Sequence, residues 1–408
     1  MNRPRKATIT FIFITLFLDT LGVGIMVPVC PLLVSSFASD DVGNASRYYG
    51  ALLAVYSLMQ FICAPIIGAL SDRFGRRIVI LTSLCGAALD YLLFAFSPSL
   101  GWLFFARLIS GVTGASITAA NSYVADISPP EDRSKNFGLM GAALGLGFVL
   151  GPALGGLVGG LNLRAPFIIA AALHGLNLLY GIFVLPESLA PEHRRPVSLA
   201  RVNPFGALRR LGRTPVLVVL SVTMVCGFLV EQILQAVWAI DTQARFGWSS
   251  LHIGLSMAVG GVMIGLVQGA LLPKVTGKIG DRATVLVGLL FSVLGFISFA
   301  TATHGWTFLA TIFPYALSGL AMPALQALAS NEVGPSEQGE LQGSIASLRA
   351  AMSVLGPLLG TAVYARFAPA SAEPHVPGAA FLLAAVLNTF AGLVAWRLFA
   401  RSPQREAA

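Results

Sequence analysis

Long apolar runs alternate with short breaks rich in charge, glycine or proline along almost the whole chain. Each run holds about 20 residues, the length that an α-helix needs to cross a hydrocarbon layer of about 30 Å. The pattern therefore predicts an all-α polytopic membrane protein with twelve transmembrane helices. These spans lie near residues 8–30, 47–70, 78–97, 100–122, 136–158, 164–185, 214–237, 250–272, 283–303, 305–328, 341–364 and 378–400.

The longest polar stretch, residues 186–213, divides the spans into two sets of six and contains six arginines. It predicts a cytoplasmic linker between an N-terminal bundle, residues 1–185, and a C-terminal bundle, residues 214–408. The two halves also resemble each other, because Gly151-Pro152 recurs as Gly356-Pro357 at an offset of 205 residues. A duplicated six-helix bundle, with halves related by a pseudo-two-fold axis, is the simplest explanation.

Composition and charge support a membrane protein. Hydrophobic residues make up 56% of the chain and charged residues 11%, against roughly a quarter charged in a soluble domain. The net charge of +8 is spread between apolar spans instead of one face, which argues against nucleic-acid binding. Of 26 Lys and Arg residues, 20 fall on one side of the spans and four on the other. The positive-inside rule therefore predicts cytoplasmic termini in an inner or plasma membrane.

Ionisable side chains lie inside several spans, where each costs about 2.5–3.5 kcal/mol on the insertion scale. Asp19 and Asp90 lie about 16–18 Å deep, and Arg107 lies at a similar level. A buried carboxylate holds a proton that an approaching cation displaces, so proton and substrate can compete for one position. Asp19 and Asp90 are thus candidates for proton coupling, and Asp19 and Arg107 for the substrate path. The alternative is that Arg107 only pairs with one acid and holds the bundle together.

The second half carries Glu231 in span seven and Arg349 in span eleven. Their depths, counted from the predicted span ends, differ by about 13 Å, so a direct ion pair is not expected. Glu231 is a candidate for the substrate path, with a snorkelling or locally paired residue as the alternative. His174, midway along span six, can titrate near neutral pH but is expected to be a hydrogen-bonded packing residue.

Two segments indicate moving parts. Small residues recur every four positions in span five, which lets helices approach closely, and Pro152 favours a kink. Gly147, Gly151 and Pro152 are therefore the predicted conformational hinge.

In the loop between spans two and three, Asp72 is followed by three arginines. Charge pairs there would hold the cytoplasmic rim closed as a gate, or the arginines would only set the topology.

The sequence contains no nucleophile–base constellation, metal-ligand spacing or phosphate-binding loop. Those patterns are the usual sequence marks of an enzyme, a bound metal or a nucleotide site. The chain is therefore predicted not to be an enzyme and not to draw its energy from bound ATP.

A series of motifs follows in order through both halves. They are Leu18–Gly24 (LDTLGVG), Tyr56–Phe61 (YSLMQF), Gly68–Arg77 (GALSDRFGRR), Ala88–Tyr91 (ALDY), Arg107–Ala115 (RLISGVTGA), the Gly-Pro motif of span five, Met322–Ala327 (MPALQA) and Leu341–Ser344 (LQGS). On these motifs the chain resembles the major facilitator superfamily and, more narrowly, its tetracycline/proton antiporter group, over essentially its whole length.

The resemblance implies export of a metal-chelated tetracycline against an incoming proton. A divalent cation would then travel with the substrate, and the chain itself would bind no cofactor. The residues implicated by matching position are Asp19, Asp90 and Arg107 for transport, Asp72 and Arg76 for the cytoplasmic gate, and Gln60 for the substrate path.

The C-terminal half departs from the resemblance. Ile264 and Ser292 stand where drug-exporting relatives carry a histidine and an aspartate, and Glu231 and Arg349 replace uncharged residues. The expected substrate is therefore a drug-like, amphipathic compound, tetracycline-like or other.

The sequence thus predicts a secondary active transporter that exports such a compound in exchange for protons by alternating access. Its expected partners are a small-molecule substrate, protons and the lipid bilayer. A proton-coupled importer of a small metabolite is the alternative with the same fold. A non-transporting membrane receptor is the alternative from another class.

Overall fold

The computed structural model describes residues 9–38, 42–114, 116–129, 132–190, 192, 194, 212, 214–334 and 337–401. Within these residues the secondary structure is helical and contains no β-strand. In the first half the α-helices are α1 (Ile9–Met26), α2 (Cys30–Ser35), α3 (Val42–Phe74), α4 (Arg76–Ala95), α5 (Leu100–Thr113), α6 (Ser116–Ile127), α7 (Arg133–Gly159) and α8 (Ala165–Val184). In the second half they are α9 (Pro215–Phe246), α10 (Ser250–Leu266), α11 (Leu272–Thr301), α12 (Gly305–Tyr315), α13 (Ala321–Asn331), α14 (Gln338–Phe367) and α15 (Ala379–Arg401).

Eleven continuous helical stretches among the described residues are long and apolar enough to cross a membrane. One of them, Ser250–Thr301, has 52 residues, which at 1.5 Å per residue is about 78 Å, more than twice the hydrocarbon thickness. The stretch is broken at Gly280, whose φ of 75° leaves the helical region. Glycine adopts such a left-handed φ without steric strain. The stretch therefore contains two spans, as predicted, which brings the number of spans among the described residues to twelve.

Local signals set the ends of α9. The Thr214 hydroxyl accepts a hydrogen bond from the Leu217 N–H at 3.1 Å, and Pro215 occupies the first turn. Gly247, with φ 65°, ends the helix in the left-handed conformation typical of a C-terminal cap. The predicted end of span seven at residue 237 is therefore nine residues short. The extra turns place Asp241 and Arg245 inside the helix instead of in an outer loop.

The chain forms two compact units. The first consists of Met1–Asp41, Ala51–Asn203 and Trp248–Ala258, and the second of Val42–Gly50, Pro204–Gly247 and Val259–Ala408. The predicted division into 1–185 and 214–408 stays a prediction, and most of the predicted linker, 186–213, lies outside the described residues.

Each unit has an apolar interior. In the first, Phe11, Ile12 and Leu16 of α1 are fully buried in a cluster with residues of α4, α6 and α7. In the second, the rings of Trp238 and Phe299 meet edge to face at 5.3 Å. Many other large apolar side chains stay exposed along the helices. An all-helical chain with an apolar exterior satisfies its backbone hydrogen bonds internally, as lipid requires.

Candidate functional site

Asp90 and Arg107 form a buried ion pair between α4 and α5. The Arg107 Nη2 group donates to the Asp90 Oδ2 atom, and the two side chains are 1% and 4% exposed. The guanidinium also lies over the Phe94 ring, 4.5 Å from its centroid, and over the Tyr56 ring at 5.3 Å. A charge with a partner and aromatic faces around it is tolerated inside a span, whereas an isolated charge is not. The two groups neutralise each other deep in the first unit.

Asp19 forms a second buried pair, with His174 of α8. The Oδ1 atom of Asp19 lies 3.1 Å from the Nε2 atom of His174. On its other side, the imidazole Nδ1 atom lies 2.9 Å from the Ala170 carbonyl oxygen, and the Tyr91 ring packs against it with centroids 5.1 Å apart. His174 is 1% exposed and Asp19 13%. The structure therefore joins Arg107 to Asp90 and Asp19 to His174. We call these four side chains the buried charge cluster.

Gln60 of α3 is linked to this cluster through Tyr56. Its Nε2 group donates to the Gly114 carbonyl oxygen at 2.7 Å and to the Tyr56 hydroxyl at 3.2 Å. Gly114 follows α5, at the break before α6. Gln60 thus fixes both this break and the tyrosine that covers Arg107. Its place on the substrate path stays a prediction.

Asp72 and Arg76 come together at the end of α3 and the start of α4. Arg76 donates through Nη1 to Asp72 and through Nε to Asp126 of α6 at 3.2 Å. The Asp126 side chain was not identified from the sequence, because it follows an apolar run without forming a motif. A guanidinium shared by two carboxylates ties the ends of three helices together. The gate role of Asp72 and Arg76 stays a prediction.

Glu187 is another acidic residue that the sequence analysis missed. Its carboxylate accepts from the backbone N–H groups of Arg76 at 2.8 Å and Arg77 at 3.2 Å, at the N-terminus of α4. The positive end of the helix dipole favours an anion there. Gly75, with φ 107°, provides the turn, and a Cβ at this position would collide with the carboxylate. Glu187, more than 100 residues later in the chain, therefore fixes the conformation of the Asp-Arg-Phe-Gly-Arg-Arg loop.

The predicted hinge residues lie where α7 packs directly on α1. A Cβ at Gly147 would come within 2.8 Å of the Leu21 backbone nitrogen, and one at Gly151 within 2.7 Å of the Gly24 Cα atom. Small residues permit this approach of two backbones. The helix continues through Pro152 to Gly159. The role of a hinge stays a prediction, but the contact places α1, which carries Asp19, against α7.

The prediction that Glu231 and Arg349 do not pair is wrong. The Arg349 Nη2 group donates to both carboxylate oxygens of Glu231, at 3.0 and 3.2 Å. Helix α14 begins at residue 338 instead of 341, and counted from the observed helix starts the depths of Glu231 and Arg349 differ by about 7.5 Å. A long arginine side chain covers that distance. The guanidinium also lies over the Phe228 ring. The Arg349 side chain is 56% exposed and the Glu231 side chain 39%.

Asp241 is a buried acid that lies beyond the predicted end of span seven at residue 237. Its side chain is fully buried and accepts from Arg245, one turn later, at 3.0 Å. Arg245 also donates to the carbonyl oxygens of Phe299 and Ala300, at the end of α11. Cations favour helix C-termini, so this pair fastens α9 to α11. The sequence signal that indicates this pair is the spacing of four residues between Asp241 and Arg245, just before Phe246-Gly247.

Ile264 and Ser292, the two positions that depart from the resemblance, are uncharged and packed. The Ser292 hydroxyl accepts from the Asn388 Nδ2 group at 2.7 Å, and Ser292 is buried. The Ile264 side chain lies beside Gly319. Among the described residues, no group of three or more His, Cys, Asp and Glu side chains is arranged to hold a metal ion. The expectation that the chain binds no cofactor stays a prediction.

A family model described as Major Facilitator Superfamily matches residues 12–357 and 274–408. The chain belongs to this superfamily. It is 44% identical to tetracycline resistance protein, class C, of Escherichia coli over 352 residues, which cover 86% of this chain and 88% of that protein. It is 38% identical to tetracycline resistance protein, class B, of Escherichia coli over 367 residues, 89% of each chain. The predicted resemblance is therefore confirmed.

Solved structures give the same fold. The crystal structure of the human organic anion transporter MFSD10 covers 97% of this chain with all of that chain, at a TM-score of 0.68 and 25% identity. That of nucleoside transporter NupG covers 97% of this chain and 99% of its own, at a TM-score of 0.78 and 14% identity. The predicted all-α major facilitator fold is confirmed, and the chain is a multi-pass membrane protein of a transporter family.

Proposed function

We propose that this chain is a secondary active transporter, not an enzyme, that exports a drug-like compound in exchange for protons by alternating access. The buried charge cluster carries the proposal, because ionisable groups inside membrane spans are functional by default. It lies in a chain that matches tetracycline resistance proteins over most of its length. The positive-inside distribution of charge supports cytoplasmic termini in an inner or plasma membrane.

The two pairs of the cluster suit different tasks. Arg107 and Asp90 are almost completely buried and aromatic rings cover the guanidinium, which suits a fixed ion pair whose dipole shapes the local field. Asp19 is the most exposed member at 13%, although its Oδ2 atom is itself buried and has no hydrogen-bond partner among the described residues. A cationic group of the substrate would supply the missing partner of this oxygen, and so compete with the proton for Asp19, when alternating access opens the site. At the other end of α3 and α4, Arg76 with Asp72 and Asp126 would latch the cytoplasmic side.

Replacing Asp19 with asparagine is expected to remove proton-driven accumulation of substrate in inside-out vesicles. Asparagine keeps the size and a hydrogen bond to His174 but does not bind a proton. The coupling between two ligands is about 1–3 kcal/mol, or 5–150-fold in affinity. In the unmodified protein the substrate affinity should therefore change about 5–150-fold between the protonated and deprotonated states, and in Asp19→Asn this change with pH should be lost. Both are measured by radiolabelled uptake and binding across a pH series.

The matched control is Asp132→Asn, since Asp132 is an exposed carboxylate at the start of α7 without a side-chain cap bond. It should transport like the unmodified chain. Unchanged proton-driven accumulation in Asp19→Asn would contradict the proposed role of Asp19. A flux directed into cells under the same imposed proton gradient would instead support the importer.

We further propose that Glu231 and Arg349 contribute to substrate choice. An exposed ion pair contributes only about 0–1 kcal/mol to stability, so stability alone does not explain two charges between membrane helices. Both side chains are more than a third exposed, which leaves them open to a ligand. An amphipathic drug that carries its own charge, including a tetracycline with a divalent cation, fits such a pair.

Neutralising either charge of this pair is expected to change which drugs the protein confers resistance to and to leave the fold intact. Arg349→Gln should weaken resistance to anionic compounds, because it removes the positive charge and leaves the negative charge of Glu231 unpaired. Glu231→Gln should weaken resistance to cationic compounds for the converse reason. We expect several-fold changes in inhibitory concentration. A susceptibility panel in a pump-deficient host measures this. Arg366→Gln, an exposed arginine bonded to the Glu373 carbonyl oxygen, is the control. Equal effects of both variants on every drug would rule out a role in selectivity.

A further inference from the structure

The hydrogen bonds of His174 fix where its protons lie. A backbone carbonyl oxygen only accepts hydrogen bonds, so the Nδ1 atom, 2.9 Å from the Ala170 oxygen, carries a hydrogen. In a neutral imidazole the Nε2 atom then has a lone pair. That lone pair would point at the Asp19 Oδ1 atom 3.1 Å away, which also has only lone pairs when the carboxylate is ionised.

A contact of 3.1 Å between these two atoms requires a hydrogen between them. Two arrangements satisfy this condition. Either the imidazole is protonated on both nitrogens and faces an ionised carboxylate, or a neutral imidazole accepts from a protonated Asp19. Both hold the same number of protons and have the same net charge of zero.

The groups around His174 belong to four helices. Helix α1 contributes Asp19, and α4 contributes the Tyr91 ring, which packs on the imidazole, and Asp90, which acts on it electrostatically. Asp90 is itself neutralised by Arg107 of α5. Helix α7 faces α1 there with glycines. The charge of Asp90 is thus already balanced, so one proton is needed to make the remaining pair neutral.

We infer that Asp19 and His174 together hold one exchangeable proton, and that His174 is a proton-binding residue of the transport cycle and not a packing residue. This inference rests on the proposed proton exchange. Release of the proton leaves neutral His174, still hydrogen-bonded to Ala170, and ionised Asp19, so the charge of the pair falls by one. The two facing lone pairs then repel each other and the contact opens. The freed carboxylate accepts a cationic group of the substrate in place of the proton.

The first test needs no substrate and therefore does not depend on transport. Nitrogen-15 NMR of histidine-labelled protein in lipid vesicles, across a pH series, reports which ring nitrogens carry hydrogen. We expect His174 to keep its Nδ1 hydrogen throughout, and its Nε2 signal to change in a single step, either because Nε2 loses its hydrogen or because it loses the hydrogen bond from protonated Asp19. In Asp19→Asn that step should disappear or move by more than one pH unit. A bare Nδ1 atom with a hydrogen on Nε2, or a step that Asp19→Asn leaves unchanged, would overturn the inference.

The second test separates the inference from the proposed function. Inside-out vesicles containing His174→Gln should retain binding of a tetracycline–Mg²⁺ or a cationic dye probe and lose most of the pH dependence of its proton-driven uptake. His252→Gln is the control, since His252 is exposed and contacts Ser249. If the unmodified protein shows no proton-driven uptake of any probe, the proposed function fails while the NMR result stands. If uptake is proton-driven and His174→Gln matches the control, the inference fails.

Discussion

Replacing Arg107 with leucine is expected to lower the free energy of unfolding by about 3–5 kcal/mol, the typical loss when one partner of a buried ion pair is removed. Asp90 would remain 1% exposed between α4 and α5 without its cation. The two aromatic rings that now cover the guanidinium would also lose it. The variant should accumulate poorly in membranes and show no transport. Denaturant unfolding of the detergent-solubilised protein, followed by circular dichroism, measures the stability.

The double variant Asp90→Leu with Arg107→Leu is the decisive control. Replacing both charges by apolar groups of similar size is often neutral or stabilising, so the double variant should recover most of the lost stability. It should not recover transport if the pair shapes the field around Asp19. Full transport by the double variant would show that the pair only holds the helices together. An unchanged stability of Arg107→Leu would contradict the buried pair itself.

The sequence predicted the spans and the buried acids because the bilayer imposes simple rules. A span must be apolar for about 20 residues, so Asp19 and Asp90 stand out against their surroundings. The end of α9 was misplaced because Asp241 and Arg245 are polar, whereas the helix continues until Gly247. Their i, i+4 pairing lets both charges remain inside a helix.

The partners of the charges could not be predicted in the same way. Depth along a helix axis follows from residue counting, but the direction in which a side chain points depends on how neighbouring helices pack. For this reason Asp19 was not connected to His174, and Glu231 was not connected to Arg349. Asp126 was missed for another reason. It lies at a helix end, where acidic residues are common, so nothing in the sequence distinguishes it as a partner of Arg76.

A bulky residue at Gly155 is expected to destabilise the protein and stop transport by forcing two helix backbones apart. In Gly155→Val the new Cβ atom would fall on the carbonyl group of Ile25 in α1. Backbone atoms of a packed helix do not move aside as a flexible side chain does, and overpacking costs about 1–3 kcal/mol or more. Helix α1 would have to move away from α7, and Asp19, on the same helix, would move with it. We expect loss of transport and a strong decrease in stability.

Gly145 offers a matched control on the same helix. It is exposed, and a Cβ there would meet nothing within 4 Å. Valine replaces glycine inside α7 in both variants, so the change in helix propensity is the same and only the contact with α1 differs. Gly145→Val should fold and transport normally, while Gly155→Val should also lose the nitrogen-15 signature of the Asp19–His174 pair. Equal behaviour of the two variants would mean that α1 and α7 do not pack backbone to backbone, and that this contact does not position Asp19.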